Sequence, residues 1–346
     1  MRAESPFHAL IVRIIGLAAS CLGVIVCGCR ITDVPLWGPQ APIPVGACPV
    51  EKTANILYKD GEKVDVHRHS LDLYRPKNAD GCPVVVVVHG GAWITGDNRA
   101  CGLYTSVGDF LASQGVIAVL PNYRLTPQVK HPEHIKDVAQ AVAWVKDNIE
   151  KYGGRTDQIF LMGHSAGGHL VSLLATDDQY LTAEGMTRKD IRGVICMSGV
   201  YSIPEGGVDV TFGGQAKNAF RIDSMFPLRR DSTAEGLPVP GIPANVDLFH
   251  FTFGSDVKDR EKASPIHHVR PGLPPFLLFS AENDLPSLPK MAKDFHEKLQ
   301  QSGCQSRYLT VPERNHNSVM FQAYRVDDPV AQEVLLFLHQ ELNREQ

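Results

Sequence analysis

Five consecutive valines, at residues 84–88, restrict the fold of this chain more than any other feature of its sequence. An unbroken run of β-branched apolar residues is typical of a strand that is covered on both faces. Shorter apolar runs predict further strands at 116–120, 159–162, 194–197, 276–279 and 308–311. Helical patterns between these strands lie at 132–152, 166–175, 289–301 and 329–342. Strands that alternate with helices predict an α/β fold with a doubly wound, mostly parallel sheet.

We place the domain at residues 51–346. Two of its segments depart from the alternation of strands and helices. Apolar and polar residues alternate at 64–66 and 71–74, which predicts two half-buried antiparallel strands. Residues 199–271 are rich in glycine, proline and aromatic residues and predict a cap insertion over the site. The aromatic side chains of this cap either bind a sugar or aryl group or form its own small core; they are Tyr201, Phe212, Phe220, Phe226, Phe249, Phe251 and Phe253.

The first 29 residues have the organisation of an export signal. A basic start is followed by an uncharged apolar run at 14–26, which is too short to span a bilayer comfortably. The run ends in Val-Cys-Gly-Cys, so that Cys29 resembles the lipid-carrying cysteine of a bacterial lipoprotein. We therefore expect a periplasmic, cell-envelope or secreted protein, with a lipid anchor, simple secretion and an uncleaved anchor as the alternatives. Residues 30–50 are rich in proline and glycine and predict an extended spacer.

Charge and cysteine usage exclude several classes of function. The formal net charge is −4, which is not the basic footprint of a nucleic-acid-binding protein. The eight cysteines do not have the paired spacing of metal ligands, although one disulfide among Cys48, Cys82 and Cys101 is plausible in an oxidising compartment.

Metal and nucleotide sites are not indicated either. Four histidines in two short clusters match no ligand framework and are interpreted as surface or capping residues; they are His67, His69, His131 and His134. The sequence contains no P-loop and no dinucleotide fingerprint, so we expect no cofactor and no metal.

A nucleophilic serine is indicated by residues 163–167, which read Gly-His-Ser-Ala-Gly. The segment follows a predicted strand and precedes a predicted helix, which is the context of a nucleophile elbow. The glycines permit the tight turn, and Ser165 then lies at the helix N-terminus, where amide groups favour developing negative charge. The sequence therefore predicts that Ser165 is the nucleophile of an acyl-transfer reaction.

An oxyanion loop is indicated by residues 89–93, His-Gly-Gly-Ala-Trp, directly after the valine strand. Acyl transfer places negative charge on the former carbonyl oxygen, and backbone N–H groups must meet it. We assign these donors to Gly91, Ala92 and Ala166, with Gly90 as a close alternative. His89 is expected to brace the loop. The candidate substrate contacts are Trp93, which is either a pocket wall or a packing residue, and His164.

The serine needs a base, and the base needs a carboxylate that orients it. Asp284 follows the predicted strand at 276–279, and His316 follows the strand at 308–311. Both positions are at the carboxyl edge of a parallel sheet, beside Ser165. Glu282 is the rival candidate for the acid.

With these motifs, the chain from about Leu71 to its end resembles the hormone-sensitive-lipase-like and feruloyl-esterase-like (BD-FAE-like) branch of the α/β hydrolases. Proteins related to isoprenylcysteine methylesterase and to kynurenine formamidase share much of the pattern. The resemblance also rests on the segments at 71–76, 122–125, 151–159, 163–169, 263–265 and 273–277. The chain departs from the pattern in the oxyanion loop, before the acid and before the histidine; the departures are Ala92, Ser280 with Ala281, and Asn315.

The resemblance and the motifs together predict a serine hydrolase with the α/β-hydrolase fold. It would cleave a small or medium carboxylic ester through an acyl-enzyme intermediate, and its partner would be a small-molecule ester. Three alternatives stay open: an arylformamidase or amidase, an esterase that removes acetyl or feruloyl groups from cell-envelope polysaccharide, and a non-catalytic binding protein on a hydrolase scaffold.

Overall fold

The computed structural model describes residues 48–204, 209–211 and 245–344, and for 209–211 and 245–247 the backbone alone. The strands are β1 (Val50–Leu57), β2 (Ser70–Pro76), β3 (Cys82–Val88), β4 (Ile117–Pro121), β5 (Gly154–His164), β6 (Ile191–Met197), β7 (Asp209–Thr211), β8 (Asn245–Asp247), β9 (Phe276–Asn283) and β10 (Ser306–Asn315). Eight of them form one sheet in the order β1-β2-β4-β3-β5-β6-β9-β10. The pairs of β2 with β1 and β4 are antiparallel and the other pairs in this sheet are parallel. The prediction of a mostly parallel sheet is confirmed.

The valine strand lies near the middle of this sheet and is covered on both faces, as its sequence predicts. Val84, Val86 and Val88 pack into one hydrophobic layer, whereas Val85 and Val87 pack into the other. Burying one such side chain stabilises the fold by about 1.5–3 kcal/mol. The run therefore anchors the sheet to both helical layers.

The helices are α1 (Leu103–Ser113), α2 (Glu133–Asn148), α3 (Ala166–Thr176), α4 (Asp178–Ala183), α5 (Leu248–Phe253), α6 (Val257–Lys262), α7 (Leu288–Gln301), α8 (Ser318–Phe321) and α9 (Pro329–Leu342). Helices α2, α3, α7 and α9 lie where the sequence pattern predicts them. Helix α1 was not predicted, because glycine, serine and threonine weaken its helical pattern. Its buried face, which includes Tyr104, Val107 and Leu111, nevertheless has helical spacing.

The prediction of a strand at 64–66 is wrong. The carboxylate of Asp65 accepts the N–H groups of His67 and Arg68, at 3.1 and 2.9 Å, and so holds this segment in a turn. Val66 is consequently 71% exposed. The antiparallel partner of β2 is instead β1, which begins at Val50, the last residue of the predicted spacer.

The predicted cap at 199–271 is described only in part, and Phe212, Phe220 and Phe226 lie outside the described residues. Strands β7 and β8 form a separate antiparallel pair. Tyr201 stacks on Phe295 of α7, with ring centroids 4.6 Å apart, so it belongs to the core of the main domain. That these residues form a cap over the site stays a prediction.

The export signal at 1–29, Cys29 and most of the spacer also lie outside the described residues, so export and lipid attachment stay predictions. Within the ranges that the structure describes, no helix is long and apolar enough to cross a membrane. Cys82 forms no disulfide with a described residue, and the disulfide considered among Cys48, Cys82 and Cys101 stays a prediction. The side chain of Cys101 is not described.

Candidate active site

Five parallel strands end at one edge of the sheet and place the candidate site there. His89 follows β3, Ser165 follows β5 and Ser198 follows β6. Asp284 follows β9, and His316 follows β10. Because the carboxyl ends of parallel strands share an edge, residues far apart in the sequence converge at this point.

Ser165 lies in a strained turn between β5 and α3. Its φ of 54° is in the left-handed region, which a residue other than glycine rarely adopts. Such a conformation costs about 1–3 kcal/mol, and the surrounding structure must hold it. The Ser165 N–H donates to the Met197 carbonyl at 2.9 Å, and the Ser165 carbonyl accepts the His169 N–H at 3.0 Å. These two hydrogen bonds hold Ser165 in the strained conformation at the N-terminal end of α3.

The two glycines of the turn are required by close backbone contacts. A Cβ atom on Gly163 would lie 2.4 Å from the carbonyl of Gly167, and one on Gly167 would lie 2.1 Å from the carbonyl oxygen of Val88. Both distances are shorter than a real Cβ contact permits. The elbow is therefore pressed against the end of β3, which brings Ser165 next to the loop that follows this strand.

His316 lies between Ser165 and Asp284. Its Nε2 atom is 2.9 Å from Ser165 Oγ, and its Nδ1 atom is 2.8 Å from Asp284 Oδ1. Ser165 and His316 are 2% and 3% exposed. With Nδ1–H donating to the carboxylate, Nε2 is free of a proton and can accept the one on Ser165 Oγ.

Asp284 is held as a carboxylate by donors on both of its oxygens. Oδ1 accepts the Leu285 N–H at 2.8 Å in addition to His316, while Oδ2 accepts Ser198 Oγ–H at 2.5 Å and the Ala281 N–H at 3.0 Å. Burial by itself would raise the pKa of Asp284, but its hydrogen bonds and the charge of His316 outweigh burial, so the pKa lies below its ordinary value.

The rival acid, Glu282, is not beside the imidazole. Its side chain is exposed and accepts the Glu313 N–H at 2.8 Å. Of the two carboxylates that the sequence offers here, only Asp284 contacts His316 in the described structure. Ser198 was missed by the sequence analysis, although its position directly after a parallel strand was a usable signal.

The loop after β3 has three successive residues with positive φ: Gly91 at 116°, Ala92 at 55° and Trp93 at 61°. Within the described parts of the chain, the N–H groups of Gly91, Ala92 and Ala166 donate to no protein acceptor. The N–H of Gly90, in contrast, donates to Tyr104 Oη at 2.7 Å. Gly90 is therefore not available as the alternative oxyanion donor, and the free N–H groups are those of the other three residues.

His89 braces this loop. Its Nδ1 atom lies 2.8 Å from the carbonyl oxygen of Gly90, and because a carbonyl only accepts, Nδ1 carries the proton. The His89 ring stacks on Tyr123 at 4.3 Å between centroids, and Tyr123 Oη–H donates to the His89 carbonyl at 3.0 Å. In a trans peptide the C=O of one residue points opposite to the N–H of the next. Fixing the Gly90 carbonyl therefore fixes the direction of the Gly91 N–H.

Trp93 and His164, the candidate substrate contacts, are as buried as Ser165 itself, and their contact with substrate stays a prediction. Trp93 Nε1–H donates to His169 Nδ1 at 3.3 Å, and its ring packs edge-on against Phe253. His164 contacts Tyr104 Oη and the carbonyl of His316 with its two ring nitrogens. Trp93 therefore packs against neighbouring side chains, and His164 contacts the backbone of the candidate base. The sequence could not show this, because both roles depend on residues distant in the chain.

The four histidines that were interpreted as surface or capping residues differ in how far they are buried. His67 is largely exposed, and its Nε2 atom lies 2.8 Å from Asp97 Oδ2. His69 and His134, however, are fully buried, so the surface interpretation is wrong for them. Among the residues that the structure describes, no cluster of three or more histidine, cysteine or acidic side chains could hold a metal ion.

Buried histidines should make the stability of this protein depend on pH. Burial lowers the pKa of His134, His164 and His169 to about 3 and that of His89 to about 4. In the unfolded chain each would titrate near 6.5, so between these values the unfolded chain binds more protons and stability falls as pH falls. We expect the free energy of unfolding to decrease from pH 7 to pH 5, by up to about 1.4 kcal/mol per pH unit for each histidine.

Urea unfolding at several pH values measures this effect. The variant His134→Gln removes one titration and should make the decrease shallower, whereas the exposed His339→Gln should leave it unchanged. A free energy of unfolding that is flat between pH 7 and pH 5 would contradict the prediction.

Comparison with known proteins finds one matching family model and several similar esterases. The BD-FAE family model matches residues 71–202. Esterase LipC of Mycobacterium tuberculosis is 31% identical over 276 residues, which are 78% of this chain and 62% of LipC. Isoprenylcysteine alpha-carbonyl methylesterase ICME of Arabidopsis thaliana is 38% identical over 144 residues, 40% of this chain and 33% of that protein. The chain thus spans less than two thirds of the length of these curated relatives.

A solved structure with a similar fold is esterase B from Lactobacillus rhamnosis. It superimposes with a TM-score of 0.62 at 22% identity, and the match covers 84% of this chain and 85% of esterase B. At this identity the similarity shows the fold, which is that of an α/β hydrolase.

Proposed function

We propose that this chain, which is similar to these esterases in sequence and has the α/β-hydrolase fold, is a serine hydrolase of carboxylic esters. The observation that carries the proposal is the chain of contacts from Asp284 through His316 to Ser165, with distances of 2.8 and 2.9 Å. The strained φ of Ser165 adds support, because strain of this kind is concentrated at functional sites.

In the first half of the proposed reaction, Ser165 attacks the ester carbonyl carbon while His316 Nε2 takes the proton from Ser165 Oγ. The carbonyl oxygen becomes an oxyanion. The N–H groups of Gly91, Ala92 and Ala166 are the donors proposed for it, and α3 contributes the positive end of its dipole. The tetrahedral intermediate then collapses, the C–O bond to the alcohol breaks, and His316 gives its proton to the departing alcohol.

In the second half, water replaces the alcohol. His316 takes a proton from the water as it attacks the acyl-enzyme, and the same N–H groups stabilise the second oxyanion. His316 then returns the proton to Ser165 Oγ as the acid departs. Asp284 remains ionised throughout, keeps the imidazole in the Nδ1–H tautomer and stabilises the imidazolium that forms transiently.

A panel of esters and matched amides tests the reaction class. We expect the full chain to hydrolyse p-nitrophenyl esters from acetate upward, with an optimum at short or medium acyl chains, and to cleave the matched p-nitroanilides far more slowly. Ser106→Ala, which removes a hydroxyl on α1 outside the site, is the control for Ser165→Ala in the same panel.

The other results of the panel identify the alternatives. Faster cleavage of the amides or of N-formyl arylamines would replace the ester reaction by an amidase or formamidase reaction. Turnover confined to acetylated or feruloylated polysaccharide would restrict the enzyme to carbohydrate esters. Binding without turnover of any member would contradict the proposal in favour of a binding protein.

A further inference from the structure

Three segments of the candidate site meet at the imidazole of His164. This residue directly precedes Ser165 in the chain. Its Nε2 atom is 2.7 Å from the backbone carbonyl oxygen of His316, and its Nδ1 atom is 3.3 Å from Tyr104 Oη. Tyr104 Oη in turn accepts the Gly90 N–H at 2.7 Å. The imidazole therefore connects the nucleophile, the base and the oxyanion loop.

The directions of these hydrogen bonds follow from the groups involved. The carbonyl of His316 can only accept, so His164 Nε2 carries the proton. Burial lowers the pKa of His164 to about 3, so its ring is neutral near pH 7 and Nδ1 has no proton. Nδ1 must therefore accept, and the Tyr104 hydroxyl donates to it. That hydroxyl then accepts a hydrogen bond from the Gly90 N–H and donates one to His164.

We propose that Tyr104 and His164 form a hydrogen-bonded relay that positions the oxyanion loop and the catalytic base relative to Ser165. The inference rests on the proposed function, since it assigns positioning residues for that reaction. Neither side chain is hydrogen-bonded to Ser165 Oγ or to the ring nitrogens of His316 in the described structure, although the rings of His164 and His316 lie 4.8 Å apart between centroids. Tyr104 holds the Gly90 amide, and His164 holds the backbone of His316.

The surroundings of the relay suit a rigid positioning device. Tyr104 and His164 are 4% and 2% exposed, so water cannot readily replace a missing partner. The ring of Phe321, in α8, packs edge-on against both of them, with centroids 5.3 and 5.4 Å away. Gly90 itself has little room, because a Cβ atom there would lie 2.9 Å from the carbonyl oxygen of His164. The Gly90 backbone therefore lies close against His164, where a larger residue would not fit without a shift.

The variant Tyr104→Phe removes the hydroxyl and leaves the ring. We expect kcat for p-nitrophenyl acetate to fall about tenfold, the rate equivalent of one buried hydrogen bond left unmade. KM should change little, because the relay orients groups that act in the transition state. The control is Tyr58→Phe, which likewise removes a buried hydroxyl. The hydroxyl of Tyr58 lies outside the site and contacts two backbone carbonyls. Tyr58→Phe should lower stability and leave kcat unchanged.

Variants of His164 complete a double-mutant cycle. His164→Leu removes both contacts, whereas His164→Gln can still donate and accept and should restore much of kcat. The double variant of Tyr104→Phe with His164→Leu should be no slower than His164→Leu, because the two residues act as one unit. Multiplicative losses, or wild-type kcat in Tyr104→Phe, would overturn the relay. Titration of active sites with a phosphonate separates loss of rate from loss of folded enzyme.

Nitrogen-15 NMR of the histidine rings tests the relay without any substrate. We expect His164 to be the Nε2–H tautomer and its Nδ1 signal to move in Tyr104→Phe. The Nδ1–H tautomer, or an unchanged signal, would overturn the relay even if the chain hydrolysed esters. The expected tautomer and shift in a chain without esterase activity would support the hydrogen bonds and contradict the proposed function alone.

Discussion

Replacing Ser165 by alanine is expected to lower kcat for p-nitrophenyl esters by about 10⁶, the scale on which loss of such a nucleophile acts. The alanine lacks the Oγ atom that forms the acyl-enzyme, and His316 cannot substitute for it. The fold should persist, since the hydrogen bonds that hold the turn are made by the backbone of residue 165. The alanine loses the hydrogen bond of Oγ to His316. Steady-state rates, with the unfolding temperature measured alongside, check this result.

The same measurement on His316→Ala distinguishes a catalytic unit from independent contributions. Residues that act as a unit lose nearly all of their effect when any member is removed, so Ser165→Ala combined with His316→Ala should be no slower than either single variant. A folded Ser165→Ala protein that retains most of its esterase rate would remove Ser165 from the mechanism. Ser106→Ala should retain the wild-type rate.

Replacing Asp284 by asparagine is expected to lower kcat by about 10⁴, as the corresponding change does in other Ser-His-Asp sites. The reason lies in the donors around the carboxylate, since each oxygen accepts a backbone N–H, from Leu285 on one side and from Ala281 on the other. Asparagine has one oxygen, so its NH₂ group must face one of these N–H groups. If it faces His316, Nδ1 must accept, and the proton moves to Nε2, where it blocks removal of the Ser165 proton.

Glu282→Gln is the matched control for this variant, since Glu282 is a nearby carboxylate whose oxygen accepts a backbone N–H that glutamine can also satisfy. The two variants should therefore differ by several orders of magnitude in kcat. Equal effects of both substitutions, or a large loss in Glu282→Gln alone, would reassign the acid.

The sequence predicted the central fold because its strongest signals are local. The run at 84–88 needs cover on both faces whatever its neighbours are, and Gly163 and Gly167 permit a tight turn that residues with a Cβ atom would prevent. The strand predicted at 64–66 failed for the opposite reason. There the Asp65 carboxylate binds backbone N–H groups, and this local bond overrides the alternating pattern.

The residues of the candidate site that were predicted follow parallel strands, and most of those that were missed do not. Asp284 and His316 were located from strand ends, and Ser198 could have been found in the same way. Tyr104 lies on a helix with no distinctive pattern, so nothing local marks its contact with Gly90. His164 was assigned to substrate from its place beside Ser165, but its partners come from two other segments and could not be inferred from the motif.

Covalent labelling of the full chain with a p-nitrophenyl alkylphosphonate tests the central claim most directly. Attack by a serine oxygen forms a phosphonyl ester and releases p-nitrophenolate, so the label marks the nucleophile. We predict one phosphonyl group per chain, located by peptide mass mapping on Ser165, with loss of esterase activity in proportion to labelling and no label in Ser165→Ala. An active chain that is labelled at another residue, or that stays unlabelled while it hydrolyses esters, would contradict the assignment of Ser165 as the nucleophile.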